Sequence, residues 1–254
     1  MIVQPRSRKL LLPGVGLLAA SDAWAPTDIS NLVAWYDASD ATTMFTDAGS
    51  TQVSNDADTV AQFNDKSGND YHLSGGGGTS PDYKVSIQNS LSVLRIDGSG
   101  DFMTRTTTPD LNQPYTYVMA IIPSLADNDV VIDSESAAGA GKVWKDGSNT
   151  TYSMNSGSDM TGPTIGSTAE ILVCIFNGAS SSFYLDGGTA DTGNPGTTEG
   201  TGLSLGAEGG SAAKFAYMDV CEIIITSDAM SVADINNAGE YLADKWGTTW
   251  STAS

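Results

Sequence analysis

Few residues in this 254-residue chain have the types and spacing to do bond-making chemistry. The one histidine, His72, stands two residues after Asp70. A Ser-His-Asp or Cys-His relay would have to run through it with a nucleophile alongside. Nothing resembling a nucleophile elbow such as Gly-x-Ser-x-Gly is read near it, and a structural role is the expectation for His72. Cys174 and Cys221 sit inside apolar runs and read as buried thiols, with a bridge between strands left open. Zinc would need more than two Cys and one His. Gly75 to Gly78 lacks the strand–helix frame and the Lys-Ser/Thr of a phosphate loop.

Two constellations leave more room. Calcium is held by six to eight hard oxygens, and Asp37, Asp40, Asp56 and Asp58 are candidate ligands, with Asn55, Asp65, Asn69 and Asp70 as further donors. None of these falls into a twelve-residue EF-hand loop. Trp24, Trp35, Trp144, Trp246 and Trp250 could stack on sugars. Trp35 and Trp246 fall on apolar faces and read as core, and Trp24 belongs to the arm junction, which leaves Trp144 and Trp250 as the candidate glycan-binding pair.

The elements that would position these residues are mostly strands. Ile29–Asp37, Tyr115–Ile122, Asp129–Asp133, Lys142–Asp146, Thr151–Met154, Ala169–Phe176, Ser182–Leu185, Leu203–Leu205 and Phe215–Ile225 are apolar or β-branched runs separated by turn formers. Residues 38–60 read as loop with short extended pieces, and Val60 to Phe63 as a short strand. Many short strands with Gly-rich turns imply an all-β sandwich or barrel. One helix is expected over about 229–246. Ser231 is its N-cap, and Ile235, Ala238, Tyr241, Leu242 and Trp246 form an apolar stripe. Lys245 and Gly247 suit its C-terminus.

Charge divides the chain. The formal net charge is −19. Residues 1–21 hold Arg6, Arg8 and Lys9 and no acid, so the remaining 8 basic and 30 acidic residues leave −22 on the body. That balance argues against nucleic acid, which needs a basic patch. No run of 18 apolar residues is present, which argues against a membrane span. The segment 1–25 imitates a secretory signal, with an apolar run Leu10–Ala20 and Ala23-Trp24-Ala25. Pro13, Gly14 and Gly16 interrupt it. It is read as an uncleaved, extended arm that docks on another subunit, with residues 26–254 as one sandwich domain.

Five motifs in this order carry a family resemblance. They are Leu32-Val-Ala-Trp-Tyr-Asp37; Phe63-Asn-Asp-Lys-Ser-Gly-Asn-Asp-Tyr-His72; Val93-Leu-Arg-Ile-Asp-Gly98 with Asp101-Phe102; Leu185-Asp-Gly187; and Gly202–Gly206 followed by Val220–Ile225 and Tyr241–Gly247. Over about residues 28–247 the chain resembles the concanavalin A-like, laminin-G-like jelly rolls of bacteriophage structural and bacterial surface proteins. The resemblance implies a jelly-roll β-sandwich, with calcium at the rim of some relatives. Some relatives are glucanases with a Glu-x-Asp-x-Glu strand. Here only Asp133-Ser-Glu135 approaches the carboxylate pair such chemistry requires.

Three functions follow as expectations. The first is a non-enzymatic virion protein of a tailed phage, assembled in the host cytoplasm and exposed on the capsid or tail as a homo-oligomer. Its partners would be major capsid or tail proteins. Its arm would bury Leu10, Leu11, Leu12, Val15, Leu17 and Leu18 at about 1.5–3 kcal/mol each, with Arg6, Arg8 and Lys9 pairing to acids. The second is a glycan-binding adhesin module, with or without calcium. The third is an endoglycosidase using Asp133 and Glu135.

Overall fold

The computed structural model describes residues 23–76, 80–211 and 213–254. Among these, the strands form two antiparallel sheets of nine strands each. One runs Asp191–Gly193, Ser181–Leu185, Glu170–Phe176, Tyr115–Pro123, Tyr217–Thr226, Leu91–Asp97, Asp82–Gln88, Asp58–Thr59. Its ninth strand, Leu32–Asp37, pairs with the second half of Tyr217–Thr226, beyond the part that pairs with Leu91–Asp97. The other sheet runs Asp159–Thr164, Thr151–Ser156, Ala140–Lys145, Val130–Asp133, Gly200–Leu205, Met103–Leu111, Leu73–Gly75, Gln62–Phe63, Met44–Phe45. The chain is a jelly-roll β-sandwich with one C-terminal helix, Val232–Trp246.

Period-2 alternation builds the layers. On Glu170–Phe176, Leu172, Cys174 and Phe176 face the second sheet, whereas Ile171, Val173 and Ile175 face the helix. Tyr115, Tyr117, Met119 and Ile121 repeat the pattern on the neighbouring strand, with Val118 and Ala120 turned the other way. The result is three layers: open sheet, covered sheet, helix. The helix closes the outer layer with Ile235, Ala238, Leu242 and Trp246. Ser231 Oγ accepts the Asp234 N–H as the N-cap, and Gly247 ends the helix in the left-handed conformation with φ of 65°. The two thiols lie on opposite faces of one sheet, Cys174 between the sheets and Cys221 under the helix, so no bridge joins them.

The Phe63–His72 motif is a staple on the strand Leu32–Asp37. The Asp65 carboxylate accepts the N–H groups of Trp35, Ser67 and Tyr71. Asn69 donates its amide to Val33 O, and Ser67 donates its hydroxyl to the same oxygen. His72 Nδ1 accepts the Asp65 N–H at 3.2 Å.

Candidate functional site

The site begins with a bulge. On Tyr217–Thr226 the register slips between Val220 and Glu222, so an extra residue enters the strand. Val220 and Ile223 face the second sheet, and Cys221, together with Glu222, is turned to the helix layer. Glu222 is therefore a fully buried carboxylate. Four donors converge on it: Trp35 Nε1 at 2.7 Å, Tyr241 Oη at 2.8 Å, Lys245 Nζ at 2.7 Å and Trp246 Nε1 at 3.0 Å.

Lys245 also reaches Asp37 Oδ1 at 2.8 Å. Lys66 Nζ bridges Asp37 and Asp40, at 2.9 Å to each, and lies 4.4 Å from the centre of the Trp35 ring. Burial and the neighbouring charge of Asp37 push Glu222 above the usual carboxylate range, against the opposing pull of Lys245. Burial also works against Asp37, but Lys245, Lys66 and Ser39 outweigh it and hold Asp37 low. Tyr241 is raised by burial and by Glu222, and keeps its proton.

This buried network fixes the outward stripe of the helix. Asn237, Glu240, Tyr241, Asp244 and Lys245 recur at spacings of three and four, one face round from the apolar stripe. With Ala23 and Trp24 they line a cleft of about 440 Å³. Trp24 meets Tyr241 edge to face, with ring centroids 5.4 Å apart. Tyr241 cannot swing, because its hydroxyl is tied to Glu222. Among the described residues, the side chains of Asn237, Glu240 and Asp244 make no hydrogen bond or ion pair. The cleft thus combines an aromatic pair with one amide and two carboxylates whose bonding capacity is unspent.

The residues singled out from sequence are scattered. Trp144 is 8% exposed, with Lys142 Nζ 4.0 Å from its ring centre. Trp250 packs on Gly239 and donates Nε1 to Asn236 Oδ1. Trp144 is buried, whereas Trp250 is half-buried with one side against Gly239. Asp37 and Asp40 come together, but around Lys66. Asp56 pairs with Lys84 at 3.0 Å, and Asp58 accepts the N–H groups of Ser54 and Asn55 in a separate turn. Among the described residues no three His, Cys, Asp or Glu side chains are grouped to hold a metal ion. Arg6, Arg8, Lys9, Leu10, Leu11, Leu12, Val15, Leu17 and Leu18 lie outside the described residues. Ala23, where the description begins, is at the cleft rim.

Asp133 is buried and its oxygens are taken by the N–H groups of Ser134, Gly139 and Gly209. It is not presented beside Glu135 as a reacting pair. Gly202-Leu-Ser-Leu-Gly206 has the Gly-x-Ser-x-Gly spacing, against the expectation from sequence that no such motif is present. It is no elbow: it lies on or just after Gly200–Leu205, and buried Ser204 donates to Ala207 O. Sequence reasoning placed Tyr241 in the core stripe and left Asn237, Glu240 and Asp244 unremarked. Their helical spacing beside Tyr241 was the signal.

No family model matches the chain, and no curated protein matches it. Solved structures do. The chain is similar to the binding domain of Paraclostridial Mosquitocidal Protein 1, with a TM-score of 0.57 and 11% identity over 88% of this chain. It is similar to the botulinum neurotoxin serotype D/C binding domain, at 0.56 and 12% over 89% of this chain. It spans 56% of the length of each toxin domain. It is also similar to domain 4 of a GH43 extracellular arabinanase from Geobacillus stearothermophilus, solved in complex with arabinotriose. There the TM-score is 0.56 and identity 13%, over 82% of this chain and 98% of that domain. At these identities the likeness is one of fold, and these neighbours are β-sandwich binding domains.

Proposed function

We propose that the protein is a non-catalytic glycan-binding module and that sugar is held in the cleft between Trp24 and the helix. The observation that carries this is the pairing of a fixed aromatic edge with unspent polar groups. A pyranose or furanose offers apolar C–H surface on one side and hydroxyls around its rim. Trp24 and Tyr241 suit the first; Asn237, Glu240 and Asp244 suit the second. The arabinotriose complex of the similar arabinanase domain supports the ligand class. The non-catalytic half is supported by the burial of Asp133, which withholds a carboxylate pair from Glu135.

Binding is read as independent of calcium, because Lys66, Lys84 and Lys245 already compensate Asp37, Asp40 and Asp56, and Asp58 is taken up by backbone N–H groups. The test is a microarray of neutral and sialylated oligosaccharides that includes arabinotriose. Wild-type protein should bind, equally with and without chelator. Asn237→Ala with Glu240→Ala should weaken binding roughly tenfold, at unchanged melting temperature. An array without signal, or a double variant that binds like wild type, sinks this reading.

A second reading, anchoring on the surface of a tailed-phage particle, is favoured by one observation. Ala23, which follows the segment bearing Arg6, Arg8 and Lys9 in the sequence, lies at the rim of a cleft with two unpaired carboxylates. Deleting residues 1–20 separates the readings: an anchor would lose particle incorporation, whereas a pure glycan module would bind the array as before.

A further inference from the structure

The helix covers one outer face of the sandwich and leaves the other sheet exposed. Across the outer face of that sheet the register aligns Ser74, Thr104, Ser204 and Asp133 in one polar row, of which Ser204 and Asp133 are buried and Ser74 and Thr104 reach solvent. Two cavities of about 350 Å³ each lie along it and share Thr104. Glu135 and Ser211 line one; Ser74, Arg105, Thr106 and Thr107 line the other.

The walls are rigidly set. The Asp133 carboxylate accepts Gly139 N–H at 3.0 Å and Gly209 N–H at 3.3 Å, tying the loop that carries Glu135 to the loop that carries Ser211. Gly209 lies so close to Ser134 that a Cβ there would sit 1.5 Å from its carbonyl oxygen. Glu208 is clamped by Lys142 at 3.3 Å and Lys214 at 2.6 Å. By contrast, the side chains of Glu135, Ser74, Thr106 and Thr107 make no hydrogen bond among the described residues. Among the described residues Phe102 lines the first cavity, but it is only 8% exposed, under Gly76 and beside Phe215.

We infer that this groove is a second glycan subsite, for a neutral oligosaccharide lying across Thr104 and held by hydrogen bonds to Glu135, Thr106 and Thr107. The inference rests on the glycan-binding reading and extends it: the two sites lie on opposite outer layers, so one molecule can bridge two glycan chains. Arg105 does not convert the groove into an anion site. Its guanidinium is occupied with Thr108 Oγ1, His72 O and the Tyr71 ring.

The test uses full-length protein on the same microarray of neutral and sialylated oligosaccharides. Glu135→Ala with Thr106→Ala, and Asn237→Ala with Glu240→Ala, are compared singly as pairs and combined. Each pair should lower the neutral-spot signals roughly tenfold while leaving binding detectable, and the four substitutions together should abolish it. Melting temperatures within a degree or two of wild type confirm folding; where they drop, Thr106→Val with Glu135→Met, which keep the volumes and remove the hydrogen-bonding groups, take the place of the alanine pair with the same expected loss. If the open-face pair leaves every signal unchanged, or if the helix-side pair alone removes all binding, the second subsite is refuted and the first stands. A wild-type array without signal removes the reading beneath both.

Discussion

Glu222 and Asp133 are both buried carboxylates, yet burial is offset differently around each. Glu222 has two cationic or polar shells: Lys245 and three ring or phenol donors, then Asp37 and Lys66 beyond. A Gln in its place keeps the shape but turns an NH2 toward one of those donors. Glu222→Gln should therefore destabilise the fold by about 3–5 kcal/mol, as removal of one partner from a buried pair does. Urea midpoints at constant m-value check this. Asp133 has only backbone donors close by, and burial raises it to about 6. Unfolded, it titrates near 3.8. The fold thus holds a proton that the unfolded chain has released, and its stabilising effect is present below pH 3.8 and lost as pH rises through 6. The stability of wild type minus that of Asp133→Asn should fall by about 3 kcal/mol between pH 3.5 and 7.5. A flat difference would falsify the assignment.

At the scale of elements, the helix is held at both ends and along one stripe. Ser231 caps the start, while Gln88 Nε2 and Asn89 Nδ2 donate to the carbonyls of Trp246 and Lys245 at the end. The last residues strap it down. Trp250 lies flat on Gly239, and Ser251 pairs with Gly187. A Cβ on Gly239 would come within 2.2 Å of the Trp250 ring. Gly239→Ala should displace Trp250, cost about 1–3 kcal/mol and shift tryptophan emission to the red. Unchanged emission and midpoint would mean that the strap does not pack on the helix. The strand carrying the Glu222 bulge shows why elements matter to the site: strict alternation from Val220, without the register slip, would turn Glu222 into the inter-sheet core, and the cleft would lose its anchor.

For the whole molecule, a net charge of −19 is a self-repulsion spread over the surface. The cations that are present are largely committed: Lys66, Lys84, Arg95, Lys142, Lys145, Lys214 and Lys245 all pair with acids. Salt screens the long-range repulsion more than it weakens the buried network around Glu222. The melting temperature should rise by several degrees between 10 mM and 500 mM NaCl. A fall on adding salt would show that exposed ion pairs outweigh the repulsion.

The sandwich itself was legible in the chain because a strand buried on both faces has to be apolar throughout. Glu170–Phe176 and Tyr115–Pro123 announce themselves in that way, and the helix does so through its stripe and caps. Strands with one wet face do not. Asp82–Gln88 exposes Val85 and Ile87, and Asp159–Thr164 contains Gly and Pro, so neither reads as a strand locally. Asp37, Asp40 and Trp144 were visible as residue types with capacity for a metal or a sugar. Whether that capacity is free depends on which lysine lies against them: Lys66 reaches Asp37 from a turn 29 residues away, whereas Lys142 stands two residues before Trp144 on the same strand. Composition and periodicity are local properties of the chain, and they determined the layers. Which polar groups are spent and which are left open depends on contacts across up to 200 residues of sequence, such as Trp35 with Glu222. Only the folded arrangement decided that.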